Sequence, residues 1–291
     1  MRWALSAASA ATRVTVQLNS HLTAPVFGTH AGSHRLAGDG PGLVLLNGFG
    51  ASGAVWPTAL GALATCHTVL AVDARGTGGS RRLTPAFTIE DLADDAWAAM
   101  LSAGIRDATI VGWSMGGMVA QELAIRHPDA VGRLVLINTV APIPMMRTPT
   151  LRTSWPLWQN VLRNATDGWR RAVWSLGGPG AIHESPKELR ELTTQLRTSG
   201  IAWWTPWLQS AASMSWRHPG RLAGIIAPTI ILHGRDDPIV PVDNAHILAD
   251  LIPGAQVEIF DGVGHLLPYE ATGRLLDVIN HDVINHRDET P

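Results

Sequence analysis

The sequence has only one cysteine, Cys66, and few charged residues. A single cysteine excludes an internal disulfide and suits a reducing compartment, so we predict a cytoplasmic protein. Charged residues make up 16% of the 291 residues and leave a net charge of -2, which provides no basic field to attract nucleic acid or an anionic membrane. No apolar run is long enough to span a bilayer. We therefore expect a small-molecule or polymeric substrate, and the composition leaves the oligomeric state open.

The first eleven residues resemble a shortened secretory signal. Arg2 precedes a short apolar run, and small residues follow where a peptidase could cut. Because this run is short and rich in alanine, we expect a loose N-terminal extension, with export as the alternative.

Short apolar runs alternate with helical stretches along most of the chain. The runs predicted to be strands buried on both faces are 43–46, 68–72, 109–111, 134–137, 229–232 and 257–260. The predicted helices are 55–63, 89–101, 118–127, 244–251 and a last one from about 269. Alternation over 14–18 predicts an earlier strand, with 33–37 as its hairpin partner. The whole pattern predicts an α/β protein with a mostly parallel, doubly wound sheet.

Residues 141–222 break this rhythm. They contain no convincing strand, and they hold eight of the twelve tryptophans. We predict a helical lid, which divides the chain into a first core part (1–140), the lid (141–222) and a second core part (223–291). Aromatic side chains suit an apolar substrate, although each ring alone could simply pack the lid onto the body. The tryptophans expected in the substrate pocket are Trp113, Trp203, Trp204 and Trp207.

The run Ile110 to Met118 predicts a sharp turn from strand to helix with Ser114 at its tip. A serine hydroxyl is a weak nucleophile, so it must stand clear of the backbone where a base can reach it. Such a turn leaves no room for a β-carbon two residues before or after the serine, which explains Gly112 and Gly116. The alternative is a glycine-rich turn whose serine only caps the helix.

Two backbone N–H groups are expected to bind the negative charge that develops on a substrate carbonyl. The helix after Ser114 presents the N–H of Met115. The loop after the 43–46 strand presents the N–H of Phe49, because Gly48 lets the backbone approach the serine.

A serine nucleophile also needs a base and a buried acid, and both are expected at the carboxyl ends of strands. His265 follows the last strand on a glycine-rich loop and is the best-placed histidine, whereas His233 lies closer to the sheet, where a structural role is expected. The acid belongs to the adjacent pair Asp236 and Asp237 after the penultimate strand, because the competing position, Asn138, is neutral. No histidine forms a metal-ligand spacing, so we expect neither a metal nor a cofactor.

These motifs, from about Leu43 to Glu270, resemble the α/β-hydrolase fold family. The Gly-Trp-Ser-Met-Gly elbow, the Asn-Gly-Phe-Gly loop at 47–50, the Asp-Pro pair at 237–238 and Gly264-His265 carry the resemblance. The resemblance implies Asp237, rather than Asp236, as the acid. Asn47 departs from the histidine that relatives commonly carry. The tryptophan-rich segment looks similar to medium-chain polyhydroxyalkanoate depolymerases and lipases, and the Ser-Met-Gly-Gly-Met run is similar to enol-lactonases.

The expected activity is hydrolysis of a carboxylic ester, lactone or polyester by a Ser-His-Asp triad through an acyl-enzyme. Two other enzyme activities keep the same three residues: cofactor-free perhydrolysis, and hydrolysis of a carbon–carbon bond. A non-catalytic binding module with the same fold is the alternative outside enzymes.

Overall fold

The computed structural model describes residues 14–15, 25–29, 32–82, 84–149, 175–179 and 186–287. Nine strands form one sheet in the order β1-β2-β3-β5-β4-β6-β7-β8-β9. Their bounds are β1 Val14–Thr15, β2 Pro25–Thr29, β3 Gly32–Ala37, β4 Gly42–Leu46, β5 Thr68–Val72, β6 Ala108–Trp113, β7 Val131–Ile137, β8 Thr229–Gly234 and β9 Gln256–Phe260. The first three strands pair antiparallel, and the pairs among β4 to β9 are parallel. The predicted mostly parallel sheet is confirmed.

The helices follow the strands in the expected alternation. Their bounds are α1 Ile89–Ser102, α2 Met115–Arg126, α3 Pro186–Ser199, α4 Thr205–Ser215, α5 Asp243–Leu251, α6 Leu267–Glu270 and α7 Thr272–Arg287. Short 3-10 helices cover Thr58–Thr65, Pro128–Ala130 and Pro219–Gly224. Within the ranges given above, every helix is too short or too polar to cross a membrane.

One local prediction was wrong and another was confirmed with shifted bounds. The helical stretch expected around 55–63 is a 3-10 helix that begins at Thr58, directly after Pro57, and ends at Thr65. The hairpin partner of β3 is β2, because a two-residue connection brings these neighbours together, and β1 pairs with β2 instead. Val16 and Leu18 of the predicted first strand lie outside the described residues.

The core lies on both faces of the sheet. Val44 and Ile110 face the apolar cluster that α1, α2 and α5 cover, whereas Leu43 and Val111 face the cluster under α7, and all four are fully buried. Since neighbouring residues of a strand point to opposite faces, a strand buried on both sides must be apolar throughout. This covering leaves the carboxyl edge of the parallel strands as the open end of the sheet.

The connection from β7 to β8 comprises residues 138–228. Its described parts carry α3 and α4, and α4 is attached to the body by Thr205, which donates to the carbonyl of Gly76 at 2.8 Å. Four predicted lid tryptophans lie outside the described residues: Trp155, Trp158, Trp169 and Trp174. The lid boundaries at 141 and 222 stay a prediction.

Candidate active site

Ser114 lies in a tight turn between β6 and α2. Its φ of 56° and ψ of -120° place a non-glycine residue in an unfavourable part of backbone space. Two hydrogen bonds hold it there: the Ser114 N–H donates to Ile137 O at 2.9 Å, and the Thr139 hydroxyl donates to Ser114 O at 2.7 Å. The strand-to-helix turn expected from the sequence therefore has the hydroxyl at its tip.

The two glycines beside the serine are required for different reasons. A β-carbon at Gly112 would lie 2.5 Å from the carbonyl oxygen of Gly116, which is the expected clash across the turn. A β-carbon at Gly116 would instead lie 2.1 Å from Leu46 O, at the end of the neighbouring strand. The second glycine thus allows α2 to pack against β4 as well as closing the turn.

The structure brings His265 to Ser114 across 151 positions of sequence. The imidazole Nε2 lies 3.1 Å from the Ser114 Oγ, and Nδ1 lies 2.7 Å from Oδ2 of Asp237. A carboxylate can only accept, so Nδ1 carries the proton and Nε2 is left to accept the serine proton. All three side chains predicted from the sequence meet at the carboxyl edge of the sheet.

Asp237 is buried and surrounded by hydrogen-bond donors. Oδ1 accepts from the N–H groups of Ile239 and Val240, each at 2.8 Å, and Oδ2 accepts from the Asn138 amide at 2.5 Å. Burial by itself would raise the pKa of Asp237, but the charge and hydrogen bond of His265 together with these donors lower it below 3.8. The carboxyl is therefore ionised and able to stabilise an imidazolium.

The adjacent carboxylate has a different environment. Asp236 is exposed and accepts a hydrogen bond from the N–H of Gly262 at 3.0 Å, so it caps the loop that carries His265. Arg235 pairs with Asp261 rather than with either member of the acidic pair.

His233, the other histidine at a strand end, is fully buried. Its Nε2 lies 2.9 Å from Val240 O, and burial lowers its pKa, which keeps the ring neutral. These contacts give it a structural role beside Asp237.

Two backbone N–H groups border the serine. A β-carbon on Gly48 would lie 3.3 Å from Ser114 Cβ, so the Gly48–Phe49 peptide passes close to Ser114. Met115 is the first residue of α2, where the helix leaves its N–H groups without partners. Among the described residues, neither Phe49 N–H nor Met115 N–H has an acceptor, so both are available to a ligand.

The loop that carries Phe49 is fixed from two sides. Gln209 of α4 is fully buried, accepts from the N–H of Gly50 at 2.8 Å and donates to Arg75 O at 3.1 Å. Asn47 donates to Val72 O at 3.0 Å and anchors the loop to β5.

The four tryptophans predicted for the substrate pocket divide into two pairs. Trp113 is buried under the site, where its indole N–H donates to His265 O at 2.9 Å, and little of its ring is left for a substrate. Trp204 is also buried, in the apolar cluster that contains Met115. Trp203 and Trp207, by contrast, are 81% and 75% exposed.

Asn138 was not predicted as part of the site. It was discounted because it is neutral, but its amide donates to Asp237 Oδ2 and also to Gly264 O at 2.9 Å, which links Asp237 to the loop that carries His265. Its φ is 44°, a conformation that asparagine adopts more readily than most residues. An asparagine directly after a buried strand was the available signal.

In the part of the chain that the structure describes, no cluster of His, Cys, Asp or Glu could hold a metal ion.

Comparison with known proteins places this geometry among hydrolases. A family model for the alpha/beta hydrolase fold matches residues 41–272. The chain is 31% identical to a pimeloyl-[acyl-carrier protein] methyl ester esterase of Aromatoleum aromaticum, over 77% of this chain and 91% of the relative. It is 27% identical to a 2-hydroxymuconate semialdehyde hydrolase of Pseudomonas putida, over 84% and 87%. The enol-lactonase of Burkholderia xenovorans LB400 superposes with a TM-score of 0.71 at 23% identity, over 91% of this chain and 100% of the lactonase.

Proposed function

Since the chain belongs to the α/β-hydrolase fold family, we propose that it cleaves carboxylic esters with Ser114 as nucleophile, His265 as base and Asp237 as the acid that orients the base. The observation that carries this proposal is the pair of contacts of His265, 3.1 Å to the Ser114 hydroxyl and 2.7 Å to the Asp237 carboxylate. This arrangement suits transfer of the serine proton to a neutral imidazole.

The reaction follows from these positions. His265 takes the proton of Ser114 as the oxygen attacks the ester carbonyl, and the N–H groups of Phe49 and Met115 bind the resulting oxyanion. His265 then gives this proton to the departing alcohol, which leaves an acyl group on Ser114. A water molecule, deprotonated by His265, attacks the acyl carbonyl; the bond to the Ser114 oxygen then breaks, His265 returns the proton to that oxygen, and the acid leaves.

The ester class and the role of the β7–β8 connection belong to the same proposal. A methyl ester esterase among the relatives supports an ester substrate. The exposed rings of Trp203 and Trp207 support an apolar acyl group. We propose that residues 141–222 act as the lid that holds this group.

Replacement of Ser114 by alanine tests the proposal. We expect kcat for p-nitrophenyl butyrate to fall by about 10⁵- to 10⁶-fold, because the nucleophile and its base act as a unit. A fluorophosphonate probe should label the wild-type protein and not this variant. Ser210, an exposed serine of α4, provides the matched control: Ser210→Ala should keep wild-type turnover. Wild-type turnover or labelling in Ser114→Ala would refute the assignment.

Hydrolysis of a carbon–carbon bond is the second candidate, because the Pseudomonas putida relative is a semialdehyde hydrolase. The same three side chains would serve both reactions. Turnover of a vinylogous diketone with no turnover of any ester would favour this second activity.

A further inference from the structure

The carboxylate of Glu270 is bonded to backbone N–H groups on both sides of His265. It accepts from the N–H of Gly264 at 3.1 and 3.2 Å and from the N–H of Leu266 at 3.0 Å. It also accepts from the N–H of Gly178, in the β7–β8 connection, at 2.7 Å. One side chain therefore links the loop of the base to a segment that lies more than 80 residues earlier in the chain.

The backbones that Glu270 joins are in close contact. A β-carbon on Gly178 would lie 1.9 Å from Gly262 O, and one on Gly264 would lie 2.4 Å from Gly178 N. Neither position could carry a larger side chain without a backbone shift, so both glycines serve this approach. The segment Leu176 to Gly178 and the His265 loop thus pack against each other through main-chain atoms.

His265 itself is held through its own peptide groups. Its N–H donates to Leu176 O at 2.7 Å, and its carbonyl accepts from the Trp113 indole at 2.9 Å. The position of the imidazole over Ser114 therefore depends on where the Leu176 segment lies. Glu270 holds that segment in place through Gly178.

The partners of Glu270 require a carboxylate. All three partner groups are donors, and among the described residues no lysine or arginine pairs with Glu270. Burial raises the pKa of Glu270 above 4.5, and these N–H groups oppose that rise. A glutamine would direct one NH₂ group at backbone N–H groups, so it could not replace both oxygens.

We propose that Glu270 is a positioning residue, which sets the place of the His265 imidazole by joining the Leu176–Gly178 segment to the base loop. This inference rests on the proposed function, because it gives Glu270 a role in the reaction only through His265. It also predicts that the β7–β8 connection and the base respond together to a change at Glu270.

Glu270→Gln tests the proposal, with Glu258→Gln as the matched control. The Glu258→Gln variant also loses one negative charge, but Glu258 pairs with Arg274 at the surface. We expect Glu270→Gln to lower kcat by about 10- to 100-fold with KM within about twofold, because a small displacement of a catalytic group affects the chemical step more than binding. Glu258→Gln should keep wild-type constants. Glu270→Asp keeps the charge with a shorter reach, and it should retain more activity than Glu270→Gln.

Active-site titration with a fluorophosphonate separates positioning from loss of fold. A lower kcat per titrated site supports the proposal. Wild-type kcat per titrated site in Glu270→Gln overturns it, whether the total activity is normal or falls only with the number of folded sites. If Glu270→Gln does not fold, Glu270→Asp decides by the same criterion. Failure of the proposed function would show separately, since the wild-type protein would then neither turn over esters nor react with the probe.

Discussion

The carboxyl end of the sheet and α4 are joined by the hydrogen bonds of Gln209, but they hold their side chains differently. His265 and Asp237 are buried, and each has at least two hydrogen bonds to side chains or backbone that fix it. In α4 and the turn before it, Trp203 and Trp207 project into solvent. His265 and Asp237 are thus fixed from several directions, whereas the rings of Trp203 and Trp207 mainly contact solvent.

The two regions also differ in charge. Residues 141–222 contain ten Lys or Arg and four Asp or Glu, while the rest of the chain contains 12 and 20. The body is acidic and the connection is basic, a segregation that the whole-chain value of -2 conceals. Together with the proposed lid role of residues 141–222, this difference leads us to expect that the body sets the reaction and that the connection sets the choice of substrate.

The strongest test of the site around His265 and Asp237 is the separate replacement of Asp236 and Asp237. Asp237→Asn should lower kcat by about 10³- to 10⁴-fold, because an amide cannot hold the required imidazole tautomer or stabilise the imidazolium. Asp236→Asn should change kcat by less than about threefold, since that side chain contacts only the loop. Steady-state kinetics with p-nitrophenyl butyrate measures both. Equal losses in the two variants would contradict the assignment of the acid.

The pH dependence of unfolding gives an independent check on Asp237. Its folded-state pKa lies below the ordinary value of 3.8, so its contribution to stability is complete above that value and is lost as the pH falls through the folded-state pKa. The free energy of unfolding should therefore fall less steeply below pH 4 in Asp237→Asn than in the wild-type protein. Parallel acid-unfolding curves for the two proteins would show that this carboxylate is not held as described.

Sequence reasoning predicted the sheet and the meeting of Ser114 and His265 with one acid of the pair Asp236 and Asp237, because these depend on local signals, whereas the choice of Asp237 came from the family resemblance. Uniformly apolar runs define strands buried on both faces, and the carboxyl ends of parallel strands share one edge. The catalytic roles of the three side chains stay predictions until they are measured.

The remaining features depend on long-range contacts that no local pattern encodes. Strand β2 was missed because Pro25 and Gly28 are unfavourable in strands, and pairing with β3 overrides this preference. Asn138 looked unimportant because an acid was sought there, whereas the fold uses it as a donor to an acid 99 residues away. The separation of buried Trp204 from exposed Trp203 likewise follows from packing, since the two residues are adjacent in sequence.

Replacement of Trp204 tests where the boundary between the body and the β7–β8 connection lies. Although Trp204 belongs to the β7–β8 connection, it is buried in the apolar cluster that also contains Met115 of the body. Trp204→Ala should lower the free energy of unfolding by about 3–5 kcal/mol, because a large buried ring leaves a cavity. Chemical denaturation followed by circular dichroism measures the change. A loss below about 1 kcal/mol would show that this part of the connection is not bound to the body.

Trp207→Ala should have the smallest effect on stability and a selective effect on substrate. Its ring is 75% exposed, so the free energy of unfolding should change by less than about 0.5 kcal/mol. If the ring binds an acyl chain, KM should rise several-fold for p-nitrophenyl dodecanoate and little for the acetate, because only the longer chain can cover the indole. Both esters are neutral, which keeps the positive charge of residues 141–222 out of the comparison. An equal rise in KM for both esters would remove Trp207 from the acyl site. The only difference left between α4 and the body would then be the solvent exposure of their side chains.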